Sequence, residues 1–383
     1  MLLSELAVCE PSHYRSEFPT FAQPREVACF SRDADRGVHL DRRALRPYAP
    51  PSLPAPLDVG FDSFQPKDSA DDPAPLKDIV TALSSRKITP QKGHLKPFPQ
   101  AHTQTSAPRS RNNLNKLMGT PYSLNDDWEM GVCVQPGGAV ELHVRETERK
   151  RLEEANRDDR SRRMCYWGYR FEQLCTSHAS GSGTSASSGK SASASSGSAS
   201  GGFRVPSPSD PSSYADLYPP AKRAELERRY AHLHEGSQVN ANEEFCGVMK
   251  LELAGIKIFM GAEIDCSGEN GYIELKTSKQ ISNPSDSFKF EKYKLLKFWL
   301  QSFLAGVPRI IVGFRDDAGM VHKLQTIKTL EIPRMVRGKS GMWDPAVCFS
   351  FGKLVLQWLL AEVSSPTVLF GLLTPPLELI VLA

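Results

Sequence analysis

Ile256-Lys257-Ile258-Phe259-Met260-Gly261-Ala262-Glu263-Ile264-Asp265-Cys266-Ser267-Gly268-Glu269-Asn270-Gly271-Tyr272-Ile273-Glu274-Leu275-Lys276 decides the fold. A mostly apolar lead-in predicts a central strand running into Glu263 and Asp265. The link 266–271 is rich in turn formers, and its Asn270-Gly271 pair is a hairpin signal. A second strand follows, with apolar Ile273 and Leu275 between Tyr272, Glu274 and Lys276. Side chains alternate faces along a strand. Glu263 and Asp265 are therefore expected on one face, Glu274 and Lys276 on one face of the neighbouring strand. Three carboxylates and one ammonium then meet in one pocket.

That set suits metal-dependent phosphoryl chemistry. Carboxylates bind hard divalent cations. Two cations about 3.5–4 Å apart can clamp both the attacking and the leaving oxygen of a displacement. A lysine beside them can orient the water or neutralise charge growing on phosphate. Without a cation the carboxylates repel one another, so Asp265→Ala is expected to abolish activity while leaving the fold largely intact. The competing reading is the solvated side of a charged hairpin. The apolar neighbours Ile264, Ile273 and Leu275 argue against it, because they imply a buried opposite face.

The chain has 383 residues, of which 40% are hydrophobic, and a net charge of +3. Its length fits one large domain or two modest ones. The balanced charge excludes a broadly basic nucleic-acid coat and leaves a local cleft. Eight cysteines are scattered without C-x-x-C pairs, which suits free thiols in a reducing compartment. The N-terminus lacks the pattern of a secretory leader. The apolar stretch 367–383 is short for a membrane span and reads as two closing strands.

The segment 40–100 is proline-rich and irregular. A short helix is expected over 112–118 and a hairpin over 128–144, turning at Pro136-Gly137-Gly138. The mixed charges of 146–163 predict an exposed helix. A buried helix follows over 164–174 and carries Glu172. The stretch 180–202 is almost pure Ser, Gly and Ala and cannot offset its ordering entropy. Further helices are expected over 220–234, 288–304 and 345–360, with strands at 245–252, 255–265, 272–278 and 309–314. The sum is a mixed α/β, α+β class: one domain over 1–383, with mixed sheets flanked by helices and a disordered Ser/Gly-rich insertion at about 179–213.

Several motifs, in order, give the chain a resemblance. Gly168-Tyr169-Arg170-Phe171-Glu172, Glu263-Ile264-Asp265, Glu274-Leu275-Lys276 and the helix Phe298-Trp299-Leu300-Gln301-Ser302-Phe303-Leu304 stand in succession. Together they resemble the DXO-like family of RNA 5′-end decapping enzymes and exoribonucleases, from about Phe18 onward. The resemblance implies that Glu172, Asp265 and Glu274 ligate metal, with the backbone carbonyl of Leu275, and that Glu263 holds a metal-bound water. It implies that Lys276 and Gln301 position the nucleophile or the scissile phosphate, and that Arg111 binds phosphate, although Ser110 stands where the family often has tryptophan. The implied cofactor is Mg²⁺ or Mn²⁺, as two ions. The implied substrates are RNA 5′ ends: incomplete caps, NAD caps, triphosphates and strands for 5′-to-3′ digestion. A nuclear 5′-to-3′ exoribonuclease is the implied partner, with a nuclear location (the cytoplasm as an alternative) and no membrane. Two rival readings are a non-catalytic stabiliser of that exoribonuclease and a DNA nuclease of the same chemistry.

Overall fold

Residues 244–253 are buried at all but two positions, the mark of a strand covered on both faces. In the computed structural model of this chain they lie inside a ten-stranded sheet. The structure describes residues 2–67, 77–85, 102–105, 113–134, 139–145, 147–176, 225, 228, 238–362, 367–373 and 378–382.

Fifteen strands are described, numbered along the chain. They are β1 (Leu2–Ala7), β2 (Phe21–Arg32), β3 (Val38–His39), β4 (Ala55–Pro56), β5 (His102–Thr105), β6 (Trp128–Val134), β7 (Val140–Arg145) and β8 (Glu244–Leu253). Then come β9 (Ile256–Glu263), β10 (Cys266–Gly268), β11 (Gly271–Lys279), β12 (Arg309–Arg315), β13 (Met320–Lys328), β14 (Thr367–Leu373) and β15 (Glu378–Leu382). The larger sheet runs β1-β15-β14-β6-β7-β5-β9-β8-β2-β3, and the smaller runs β10-β11-β12-β13-β4. The described helices are α1 (Lys77–Ser84), α2 (Asn113–Gly119), α3 (Glu148–Ala155), α4 (Asp159–Leu174), α5 (Pro284–Lys289), α6 (Leu295–Leu304), α7 (Ile332–Val336) and α8 (Pro345–Glu362), besides short 3-10 turns.

The main core joins the two sheets. Val132, Ile258 and Met260 from the larger sheet share one cluster with Ile310 and Val312 from the smaller, together with Leu117, Trp299 and Phe351 from α2, α6 and α8. The outer face of the smaller sheet is covered by Tyr166, Trp167 and Phe171 of α4. On the outer face of the larger sheet, Ile79 and Ala82 of α1 pack with Phe30, Val248 and Phe259. These layers make the mixed α+β class expected from the sequence.

Two expectations need correction. Glu263 and Asp265 do not share a strand. β9 ends at Glu263, Ile264 and Asp265 carry the chain across, and Cys266 opens β10 in the other sheet. The Asn270-Gly271 turn thus joins β10 to β11, with Gly271 at φ 102°. Nor is 146–163 one helix. The chain breaks after α3, and Asp158 caps α4 by accepting the Ser161 N–H at 2.7 Å. The expected buried helix 164–174 is therefore the second part of α4. Helix 288–304 holds a π turn, Phe290–Lys294, before α6. The insertion at 179–213 and most of the expected helix 220–234 lie outside the described residues. No described helix is long and apolar enough to cross a membrane.

Candidate active site

α4 fixes the first carboxylate. Tyr166, Trp167, Arg170 and Phe171 recur at helical spacing and are buried. Trp167 Nε1 donates to Asp58 Oδ1 at 3.1 Å, and Tyr166 Oη to the Val59 carbonyl at 2.5 Å, which fastens the helix to the 55–59 segment. Glu172, next to Phe171, lines a cleft with Glu244, Glu263 and Asp265.

Asp265 connects this cleft to β11. Its Oδ2 accepts the backbone N–H of Leu275 at 2.7 Å. On either side of Leu275 stand Glu274 and Lys276. Glu274 is only 1% exposed, and its Oε1 accepts both from the Lys276 ammonium and from the Gln301 amide. Gln301 reaches it from α6, whose other side chains are largely buried in the core. Lys276 and Gln301 also line a groove of about 320 Å³ together with Lys116, Trp128, Lys297 and Phe298. That volume falls in the range of small-ligand sites.

The electrostatics match a cluster of carboxylates. Burial pushes the Cys175 thiol up, and the charges of Glu172 and Asp265 push it further. Burial raises Cys266 as well, with Asp265 the next cause. Neither is poised as a nucleophilic thiolate. The Glu244 carboxyl is raised by burial and by the charge of Glu263, against the pull of Lys67 and Arg32.

The structure thus brings Glu172, Glu263 and Asp265 onto one cleft, and Glu274, Lys276 and Gln301 into one hydrogen-bonded group. The Asp265–Leu275 bond links the two. Arg111 lies outside the described residues. The donor set fits a hard divalent cation in kind, being carboxylate oxygens at an open cleft. Among the described residues, no three His, Cys, Asp or Glu side chains are already gathered closely enough to hold one. Sequence reading missed Arg32, Lys67 and Glu244. The available signal was Glu244 itself, a carboxylate heading the apolar run Phe245–Val248.

The family described as "RAI1 like PD-(D/E)XK nuclease" matches residues 22–200 and 217–374. This chain belongs to the RAI1-like PD-(D/E)XK nuclease family. Glu274-Leu275-Lys276 has the E-x-K form in the family's description, with Asp265 upstream and Ile264 where that description has proline. The chain is 32% identical to "Decapping nuclease RAI1" of Aspergillus fumigatus over 90% of its length and 83% of the relative's. It is 31% identical to the "Decapping and exoribonuclease protein" of Xenopus laevis, over 92% and 79%. The crystal structure of S. pombe Rai1 in complex with 3'-FADP superposes with TM-score 0.67 at 25% identity, covering 100% of this chain and 99% of that one.

Proposed function

We propose that this RAI1-like chain is a divalent-metal-dependent hydrolase of RNA 5′ ends. It would remove incomplete or NAD-type caps, release pyrophosphate from 5′-triphosphates, and digest RNA 5′ to 3′. The observation that carries this is the tie between the two carboxylate groups: Asp265 on the cleft bonds the backbone of Leu275, which sits between Glu274 and Lys276. The decapping and exoribonuclease names of its relatives support the substrate class.

Glu172, Asp265 and Glu274, with the Leu275 carbonyl, are the proposed holders of Mg²⁺ or Mn²⁺, and Glu263 the proposed holder of a water. Bound there, two ions supply an activated water and neutralise charge on the phosphate. Lys276 donates to a phosphoryl oxygen as negative charge develops. The Gln301 amide, now on Glu274, orients the water or the phosphate, and Arg111 binds a neighbouring phosphate. The groove beyond Lys276 and Gln301 supports a nucleotide-sized group, with Trp128 and Phe298 on its apolar side and Lys116 and Lys297 for phosphates. A nuclear location and a 5′-to-3′ exoribonuclease partner remain proposals from the family resemblance, to be tested by localisation and pull-down.

The test uses one RNA with five 5′ ends: monophosphate, triphosphate, unmethylated cap, methylated cap and NAD. Wild type and Glu263→Ala/Asp265→Ala are compared in Mg²⁺ and in Mn²⁺. Metal-dependent products from wild type alone are expected, and the released fragment names the bond cut. Silence on every end would leave the partner-stabilising role. Equal cutting of DNA would reassign the substrate.

A further inference from the structure

Behind Glu263 lies a chain of charges that the proposed chemistry does not use. The register of the larger sheet creates it. Arg32 at the end of β2 is paired with Glu244 at the start of β8, and Cys246 of β8 is paired with Glu263 at the end of β9. Paired residues and those two apart share a face. Arg32, Glu244 and Glu263 therefore sit together on the side covered by α1. Arg32 bonds Asp78 of α1 at 2.5 Å through one nitrogen and Glu244 through the other. The second oxygen of Glu244 accepts from the Lys67 ammonium, which stands 3.3 Å from Glu263 Oε2. Side-chain exposure is 7% for Arg32, 4% for Glu244, 13% for Lys67 and 12% for Glu263.

We propose that Arg32, Glu244 and Lys67 form a buried ion chain that orients Glu263, which makes Lys67 and Glu244 positioning residues of the reaction. The inference rests on the reading of the cleft given above. Stability alone does not call for these groups, because well-packed apolar side chains serve a core at least as well as buried ions. Phe30, Val248 and Phe259 fill the middle of this face in that way. Its fully buried charges, Arg32 and Glu244, stand at the cleft end, whereas Lys250, over the Phe259 ring towards the other end, is half-buried. Glu263 is the last residue of β9, and its side chain meets the Glu244 carboxyl as well as Lys67. Lys67, anchored from behind by Glu244, supplies a fixed donor to it. Groups that hold a metal-site carboxylate in place typically contribute roughly 10- to 100-fold to affinity or activity.

The test is a double-mutant cycle on Lys67→Met and Glu263→Gln, with Lys67→Arg as the conservative variant. Hydrolysis of 5′-triphosphate RNA in Mn²⁺, Mn²⁺ affinity by titration calorimetry and thermal melts are measured on each. Lys67→Met is expected to lower kcat roughly 10- to 100-fold and to weaken Mn²⁺ binding, with KM nearly unchanged. Lys67→Arg should recover most of the loss. In the Glu263→Gln background, Lys67→Met should change kcat by less than about twofold, since a group acting through Glu263 has nothing left to orient. A full, additive loss in that background would overturn the proposal, as would wild-type kcat and Mn²⁺ affinity in Lys67→Met. Should Lys67→Met fail to fold, Glu244→Gln takes its place in the same cycle. A wild type inactive on every RNA end would sink the proposed function itself, whereas an active wild type with an additive cycle would sink only the ion chain.

Discussion

Asp265 has two tasks that substitution can separate. Its charge belongs to the carboxylate cleft, and its Oδ2 holds the Leu275 N–H at 2.7 Å. From the sequence, Asp265→Ala would merely relieve repulsion. The hydrogen bond changes that expectation, because a buried donor left unsatisfied costs about 1–3 kcal/mol. Asp265→Asn keeps an acceptor for Leu275 and loses the charge. It should melt within about 2 °C of wild type and hydrolyse no RNA, while Asp265→Ala should lose activity and melt several degrees lower. Melting curves and a 5′-end assay on both variants check this. Substantial turnover by Asp265→Asn would remove its carboxylate from the chemistry. The motif was legible because E-x-D and E-x-K are local patterns. The bond from Asp265 to a backbone N–H ten residues on was not, since it depends on where the chain crosses between sheets.

At the scale of elements, α4 can deliver Glu172 only because β12 makes room for it. A Cβ at Gly313 would lie 2.6 Å from Phe171 Cε2 and 2.7 Å from its Cζ. The Phe171 ring is fully buried and packs with Leu275 and Ile311, so it has little space to yield. Overpacking of this kind typically costs about 1–3 kcal/mol. Gly313→Ala should therefore lower the melting temperature and also kcat, because the residue displaced is the neighbour of Glu172. A melt and turnover equal to wild type would show that α4 tolerates the shift. The apolar run of α4 was readable from spacing. Its start at Asp159 was hidden, because charged residues crowd both sides of the short Ala155-Asn156 gap. The π turn before α6 left no trace either, since Phe290, Leu296 and Phe298 still read as one helical stripe.

For the whole molecule, the candidate site lies where the chain leaves one sheet for the other. Glu263 ends a strand of the ten-stranded sheet, Glu274 belongs to the five-stranded sheet, and Glu172 comes from the helix outside it. Sequence reading recovered the order of these pieces but not the crossing, because alternation looks the same through a change of sheet. Nor could it recover the ion chain, in which Arg32 meets a partner 212 residues away. The layout predicts how a cation acts on stability. An ion held by Glu172, Asp265 and Glu274, with its water on Glu263, would join both sheets and α4 and would be lost when they separate. Binding to the native state alone adds about 2.7 kcal/mol at a hundred times Kd. Mn²⁺ should thus raise the melting temperature of wild type by several degrees, reversibly on chelation, and leave Glu263→Ala/Asp265→Ala almost unmoved. An equal rise in the double variant would place the stabilising ion away from this cleft, and the ligand assignment would fall even if hydrolysis remained metal-dependent.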